Sequence, residues 1–190
     1  MIPDWTKVYD DLSLPIHLDL GCARGKFLLE MAQIEPKTNF LGVEIREPLV
    51  REANNKRDEL GLTNLDYWFS NINIDLKELL LSLPSNKLQW VTIQFPDPWF
   101  KKRHRKRRVV QPELVNVFAQ YLSSEAKVFL QSDVKMVAEE MGNLFRENPN
   151  FRQTHSEDWL TTNPFAIATE REKATIAKGE PVYRLLFARI

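Results

Sequence analysis

The stretch LDLGCARG, residues 18–25, decides the fold. A strand-like apolar run, IHLDL at 16–20, stops at Gly21, and a segment with helical spacing follows at once. Glycines at 21 and 25 let the backbone turn tightly and come close to a ligand, while the helix start beyond them presents unpaired N–H groups. The same alternation continues outward. Short apolar runs, NFLGVEI (39–45), LDYWFS (65–70), WVTIQF (90–95), KVFLQS (127–132) and VYRLLFAR (182–189), are separated by helix-spaced stretches at 24–35, 47–60, 74–82, 111–122 and 134–146. Continuous apolarity marks strands buried on both faces, so the pattern predicts an α/β domain, doubly wound around a largely parallel sheet. From about 148 to 181 the chain carries Pro149, Pro164, Gly179 and Pro181 and no helical stripe outside 170–178. The last strand is therefore expected to return antiparallel at the sheet edge through a long connection.

With 190 residues, 43% of them hydrophobic, the chain suits one core, and a single domain over 1–190 is expected. Its 26 basic and 26 acidic residues balance, yet Lys101, Lys102, Arg103, Arg105, Lys106, Arg107 and Arg108 crowd into one block. Outside that block acids are in excess, a polarity that suits a local polyanion site rather than a uniformly basic coat. The lone Cys22 excludes an intrachain disulfide and lacks the neighbours a zinc site needs, and His17, His104 and His155 are scattered, so no metal is expected. No apolar run approaches the roughly 18 residues of a membrane span, and the start, MIPDWTKVYDD, has no signal-peptide pattern. The expected location is the cytoplasm.

In doubly wound folds ligands bind at the carboxyl ends of the strands where the strand order reverses, which makes the turn after Asp19 a candidate cofactor cradle; a plain strand–helix turn is the bland alternative. Glu44 closes GVEI at the end of the second strand, where a carboxylate can accept hydrogen bonds from both ribose hydroxyls of an adenosine. Asn71, beyond the third strand, is either a partner for the adenine edge or a simple loop asparagine. Nicotinamide enzymes share the glycine-plus-acid plan but use GxGxxG. Gly21 and Gly25 instead match the DxGxGxG spacing of S-adenosylmethionine-dependent methyltransferases, with Ala23 in the middle place.

The fourth strand runs into QFPDPWFKKRHRKRR, residues 94–108. Prolines on both sides of Asp97 stiffen an extended presentation, which fixes a carboxylate beside the cofactor crevice. The basic block comes immediately after, where phosphate contacts position a nucleic acid without specifying a base. Trp99 either packs the turn or stacks on a base.

DLGCARG, GVEI, FPDPW with KKRHRKRR, and the late TEREK together resemble the bacterial tRNA (guanine-N7-)-methyltransferase family along nearly the whole chain. The resemblance implies a Rossmann-like, seven-stranded methyltransferase sheet with an antiparallel strand at the C-terminal end. It implies methyl transfer from S-adenosylmethionine to N7 of guanosine 46 in the variable loop of tRNA, with tRNA as the partner. By motif it places Asp19, Gly21, Gly25, Glu44, Asn71 and Asp97 with the cofactor, and Asp97 also with catalysis. It places Lys101, Asp133, Thr169, Glu170, Arg171 and Glu172 with the substrate, leaving Lys102, Arg103, Arg105, Lys106, Arg107 and Arg108 for the RNA backbone. The chain departs from the family at several positions: Asp19 stands where Glu is frequent, Asn71 where Asp is, Ala23 where Gly is and Arg171 where an aromatic residue is. The longer N-terminal extension of many relatives is nearly missing. Three other readings stay open: a nucleic-acid methyltransferase of another base specificity, an RNA-binding protein without catalysis, and a nicotinamide dehydrogenase.

Overall fold

A computed structural model describes residues 2–190, apart from the side chains of Lys102 and Arg105. Seven strands form one sheet: β1 (Ile16–Leu20), β2 (Asn39–Glu44), β3 (Leu65–Phe69), β4 (Leu88–Gln94), β5 (Lys127–Ser132), β6 (Phe151–Gln153) and β7 (Tyr183–Arg189). Between them lie α1 (Lys26–Ile34), α2 (Glu47–Glu59), α3 (Ile72–Ser82), α4 (Pro112–Tyr121), α5 (Lys135–Arg146) and α6 (Glu170–Ala177). The spatial order is β3-β2-β1-β4-β5-β7-β6. Strands β1 to β5 are mutually parallel, and β7 is antiparallel to both β5 and β6. The reversal of order falls between β1 and β4, which opens the crevice there.

The helices form where the sequence supplies caps and stripes. Asn71 and Thr169 each accept a backbone N–H two or three residues on, capping α3 and α6, and Pro112 occupies the first turn of α4 where no N–H is needed. Val137, Ala138, Met141 and Phe145 give α5 one apolar face. The antiparallel return of β7 follows the sequence expectation, but the sheet edge itself is the short β6, which had no counterpart in the sequence reading. Three residues after Pro149 carry too little apolar pattern to stand out.

Period-two alternation divides the central strands. Ile16, Leu18, Leu20, Val91, Ile93, Val128 and Leu130 face one core together with α3, α4 and α5. The intervening positions, His17, Asp19, Thr92, Gln94 and Gln131, turn to the other face, nearer α1 and the 160–177 segment. That face mixes these polar groups with the aromatic rings of Phe40, Trp90 and Phe129. Among the described residues no helix is long and apolar enough to cross a membrane.

Candidate active site

At the end of β1 the backbone turns through Gly21 (φ +78°), Ala23 (φ +51°) and Gly25 (φ +69°), all left-handed. The two glycines serve different ends. A Cβ at Gly21 would meet nothing within 4 Å, so this side of the turn is open to a ligand. A Cβ at Gly25 would lie 2.3 Å from the Tyr67 ring, whose hydroxyl donates to the Gly25 carbonyl at 2.6 Å. Gly25 thus lets the turn pack against β3 rather than facing the crevice. Ala23 holds the same left-handed backbone with a side chain, which is strained.

Glu44 closes the turn from β2. Its carboxylate accepts from Ala23 N at 3.0 Å, Arg46 N at 3.1 Å and the Arg46 guanidinium at 2.9 and 3.2 Å. Glu44 is 4% exposed and its partner guanidinium 62%. The hydrogen bond that Arg46 donates to Glu44 is the main cause that raises the guanidinium's pKa, and Asp97 adds a weaker attraction, so the guanidinium feels both carboxylates. Ile45 and Phe69, at the ends of β2 and β3, are exposed apolar side chains that sequence reading passed over. They are flat or branched walls where a purine ring would lie beyond a ribose on Glu44. Asn71 uses its side-chain oxygen to cap α3 through Asn73 N at 3.2 Å, leaving its amide nitrogen as the group to offer a base.

Asp19 is 4% exposed beneath the turn. Burial pushes its carboxyl pKa up to about 6, against hydrogen bonds from Thr92 Oγ1 at 2.5 Å and Gln94 Nε2 at 3.4 Å. His17 Nε2 lies 3.1 Å from the same Thr92 hydroxyl, and burial lowers the His17 pKa to about 3. The single hydroxyl proton goes to Asp19, so the neutral imidazole is the donor to Thr92.

Across the crevice, β4 leads into Pro96-Asp97-Pro98-Trp99. Phe95 (φ +50°) and Trp99 (φ +43°) bracket this segment with two more left-handed non-glycine residues. Strain of this kind persists only where the surroundings impose it. The constraints are visible: Phe95 N donates to Gln131 O at 2.8 Å, Arg108 Nε donates to Pro98 O at 2.8 Å, and Trp99 packs on His104 and under the Arg107 guanidinium. Trp99 therefore packs the turn. Asp97 and Lys101 are exposed.

A 3-10 helix spans Lys102–Arg107. Arg103, Lys106 and Arg107 are exposed, whereas Lys102 and Arg105, expected on the RNA backbone, have side chains outside the described residues. Arg108, expected in the same set, is 7% exposed and ion-paired with Glu140. It braces the Asp97 turn from below instead of facing solvent, and that is a correction to its place in the basic surface.

Of the expected substrate residues, Lys101 stays with the Asp97 segment, while Asp133, Thr169, Glu170, Arg171 and Glu172 gather at the end of β5 and the start of α6. Arg171 Nε donates to Asp133 at 2.9 Å, so this arginine neutralises that carboxylate. Thr169 Oγ1 caps Glu172 N at 3.1 Å, but the return arm of a capping box is not made. Glu172 is 1% exposed and points inward, accepting from Arg184 at 2.7 Å, Asn163 at 2.8 Å and Gln131 at 3.1 Å. Glu170 bridges to Lys26 at the start of α1. Phe165 fixes the loop before α6 by inserting among His17, Phe27, Trp90 and Phe129. Among the described residues no three His, Cys, Asp or Glu side chains gather as a metal set.

Residues 13–185 match a family model described as "Putative methyltransferase". The chain is 60% identical over 185 residues to the tRNA (guanine-N(7)-)-methyltransferase of Microcystis aeruginosa, covering 97% of this chain and 88% of that protein. It is 56% identical to the protein of the same name from Synechocystis, with 98% and 88% covered. Among solved structures, a SAM-dependent methyltransferase from Aquifex aeolicus matches with TM-score 0.60 at 14% identity, covering 98% of this chain and 90% of that one. TrmN from Thermus thermophilus matches with TM-score 0.61 at 13% identity, covering 93% and 44%. These structural likenesses concern the fold.

Proposed function

The chain belongs to the tRNA (guanine-N(7)-)-methyltransferase family, and from that premise we propose that it transfers a methyl group from S-adenosylmethionine to N7 of guanosine 46 in the variable loop of tRNA. The observation that carries this reading is the meeting, at the β1/β4 crevice, of the Gly21 turn and Glu44 with the constrained Asp97 segment, which runs directly into exposed basic residues.

The residues present suit the methyl donor. Gly21 leaves room for its close approach, Glu44 offers a carboxylate to the ribose, Ile45 and Phe69 wall the adenine, and Asp19 favours a positively charged group above it. S-adenosylmethionine supplies an electrophilic methyl on a sulfonium. Guanine N7 carries a lone pair and no proton, so the protein has no proton to remove there, and its work is alignment and electrostatics. Positive charge develops on the purine as the N7 bond forms. Asp97, exposed at the crevice and held by its strained flanks, is the group that stabilises that charge. Lys101, Arg103, Lys106 and Arg107 meet phosphates and set the register of the RNA without reading its sequence. Asp133, on release of Arg171, accepts from guanine N1–H and the 2-amino group and turns N7 toward the methyl. We place the enzyme in the cytoplasm with tRNA, as one catalytic domain that needs no metal.

The test is incubation with unmodified tRNA and methyl-labelled S-adenosylmethionine, followed by borohydride–aniline cleavage. The expected result is cleavage in the variable loop, reduced by about 100-fold or more in Asp97→Ala. Label without cleavage would point to another target atom. Bound tRNA without label would leave only a binding protein.

A further inference from the structure

Beneath the two halves of the site, the polar face of the sheet carries a continuous chain of hydrogen bonds. Gln94 Nε2 reaches Asp19 Oδ1 at 3.4 Å, Gln131 Nε2 donates to Gln94 Oε1 at 2.7 Å, and the same nitrogen donates to Glu172 Oε2 at 3.1 Å. Asp19 belongs to the cofactor crevice, and Glu172 lies in the first turn of α6 beside the Arg171–Asp133 pair. The chain therefore crosses β1, β4, β5 and α6.

Its polarity is fixed by its ends. An ionised carboxylate only accepts, so each terminal amide must turn its N–H groups outward, and two amides between two acceptors must reverse direction once. The reversal falls on Gln131, which is wholly buried. Its NH2 serves both Gln94 and Glu172, and its Oε1 is left buried without a hydrogen-bond partner. An unpartnered buried carbonyl is destabilising. The opposite amide orientation would be worse, since it would set that carbonyl against both the Glu172 carboxylate and the Gln94 carbonyl. Gln131 is thereby locked in one orientation, at a cost that a purely structural strand position would avoid with a leucine or methionine.

Glu172 is the receiving end. Arg184 draws it toward β7 and Asn163 toward the Phe165 loop, and among the described residues Gln131 alone ties it to the parallel part of the sheet. The start of α6, with Thr169 and Arg171, takes its place from this junction.

We propose that Gln131 is a positioning residue for the tRNA substrate: acting through Glu172 it fixes the start of α6 beside Asp133, and through Gln94 it ties that placement to Asp19 in the cofactor crevice. The inference rests on the methyltransferase reading above. Gln131→Met, similar in volume and without polar hydrogens, separates the role from packing. The full-length variant is compared with the parent by thermal melting, by calorimetric binding of S-adenosylmethionine with and without tRNA, and by steady-state methylation.

The expected result is a KM for tRNA raised about tenfold, with kcat and the cofactor Kd in the absence of tRNA within about threefold of the parent. Any enhancement of cofactor affinity by tRNA should shrink in the variant. In a Glu172→Gln background the same substitution should add less than twofold, because the residue acts through Glu172. An unchanged KM for tRNA, or an equal additional effect in the Glu172→Gln background, would overturn the inference while leaving N7 methylation intact. A parent protein that does not methylate tRNA at N7 would overturn both.

Discussion

Glu44 and Glu172 are nearly equally buried, and each is paired with an arginine, but the two pairs are built for different work. The Glu44 partner, Arg46, is 62% exposed, whereas the Glu172 partner, Arg184, is 11% exposed by side chain and sits inside the polar face. A guanidinium in water can leave its carboxylate at little cost, and a desolvated one cannot. Under the proposed function, Glu44 is a binding acid with a replaceable counter-ion, holding its geometry through Ala23 N and Arg46 N until ribose hydroxyls take the guanidinium's place. Glu172 has no such freedom. Both of its oxygens are committed to the protein, so an acid expected to touch substrate serves as a junction between the start of α6, β5, β7 and the Phe165 loop.

The largest effect should come from breaking the buried pair. Glu172→Ala leaves Arg184 charged in the interior without its counter-ion and takes an acceptor from Asn163 and Gln131 at once. A loss of about 3–5 kcal/mol is expected, read as a fall in the denaturation midpoint or in Tm. Weaker tRNA binding should accompany it. A variant as stable as the parent would show that Glu172 is not the junction described.

Glu44→Gln should do the reverse, with little change in Tm and a large change in cofactor affinity. Losing a charged acceptor for two hydroxyls is worth about 1.5–3 kcal/mol, or roughly 10- to 150-fold in Kd for S-adenosylmethionine. Arg46→Ala sharpens the comparison, because removing only the exposed partner should change Kd by less than about fivefold. Calorimetry on both variants decides the matter: a comparable loss in the two would mean that Arg46 belongs to the cofactor site itself rather than standing in for it.

The difference between these two acids also marks how far the sequence could be interpreted alone. Gly21, Glu44 and Asp97 lie at strand ends, where one-dimensional order already gives position, and their residue types announce their chemistry. The parallel core and the reversed β7 were legible for a similar reason, since long apolar runs and proline-rich connections carry their own signal. Gln94 and Gln131 were not, because WVTIQF and KVFLQS look like uniformly apolar strands until the alternation of faces is known. The signal was present as polar residues recurring on one alternating face, His17 and Asp19 in β1, Thr92 and Gln94 in β4 and Gln131 in β5, but Trp90 and Phe129 interrupt it. Arg108 could not be told from its neighbours within a block of like charges, and only Glu140 and the Pro98 carbonyl single it out. The need for Gly25 came from Tyr67, a contact that local sequence does not reveal.

The smallest effect tests the backbone under Glu44. Ala23 holds φ +51° where a glycine would be unstrained, and its N–H is one of the donors that orient the carboxylate. Ala23→Gly relieves left-handed strain of about 1–2 kcal/mol but adds freedom to the unfolded chain worth about 0.4–1 kcal/mol. The net expectation is a stabilisation of about 0–1 kcal/mol, seen as a Tm rise of no more than about 4 °C. The cofactor Kd should stay within about twofold, because the N–H at position 23 keeps its hydrogen bond to the Glu44 carboxylate in the variant. A Kd that worsens by tenfold would mean that the Ala23 methyl stiffens the cradle. The binding acid would then depend on a rigid frame as much as the buried junction does, and the contrast between the two carboxylates would narrow to the exposure of their arginines.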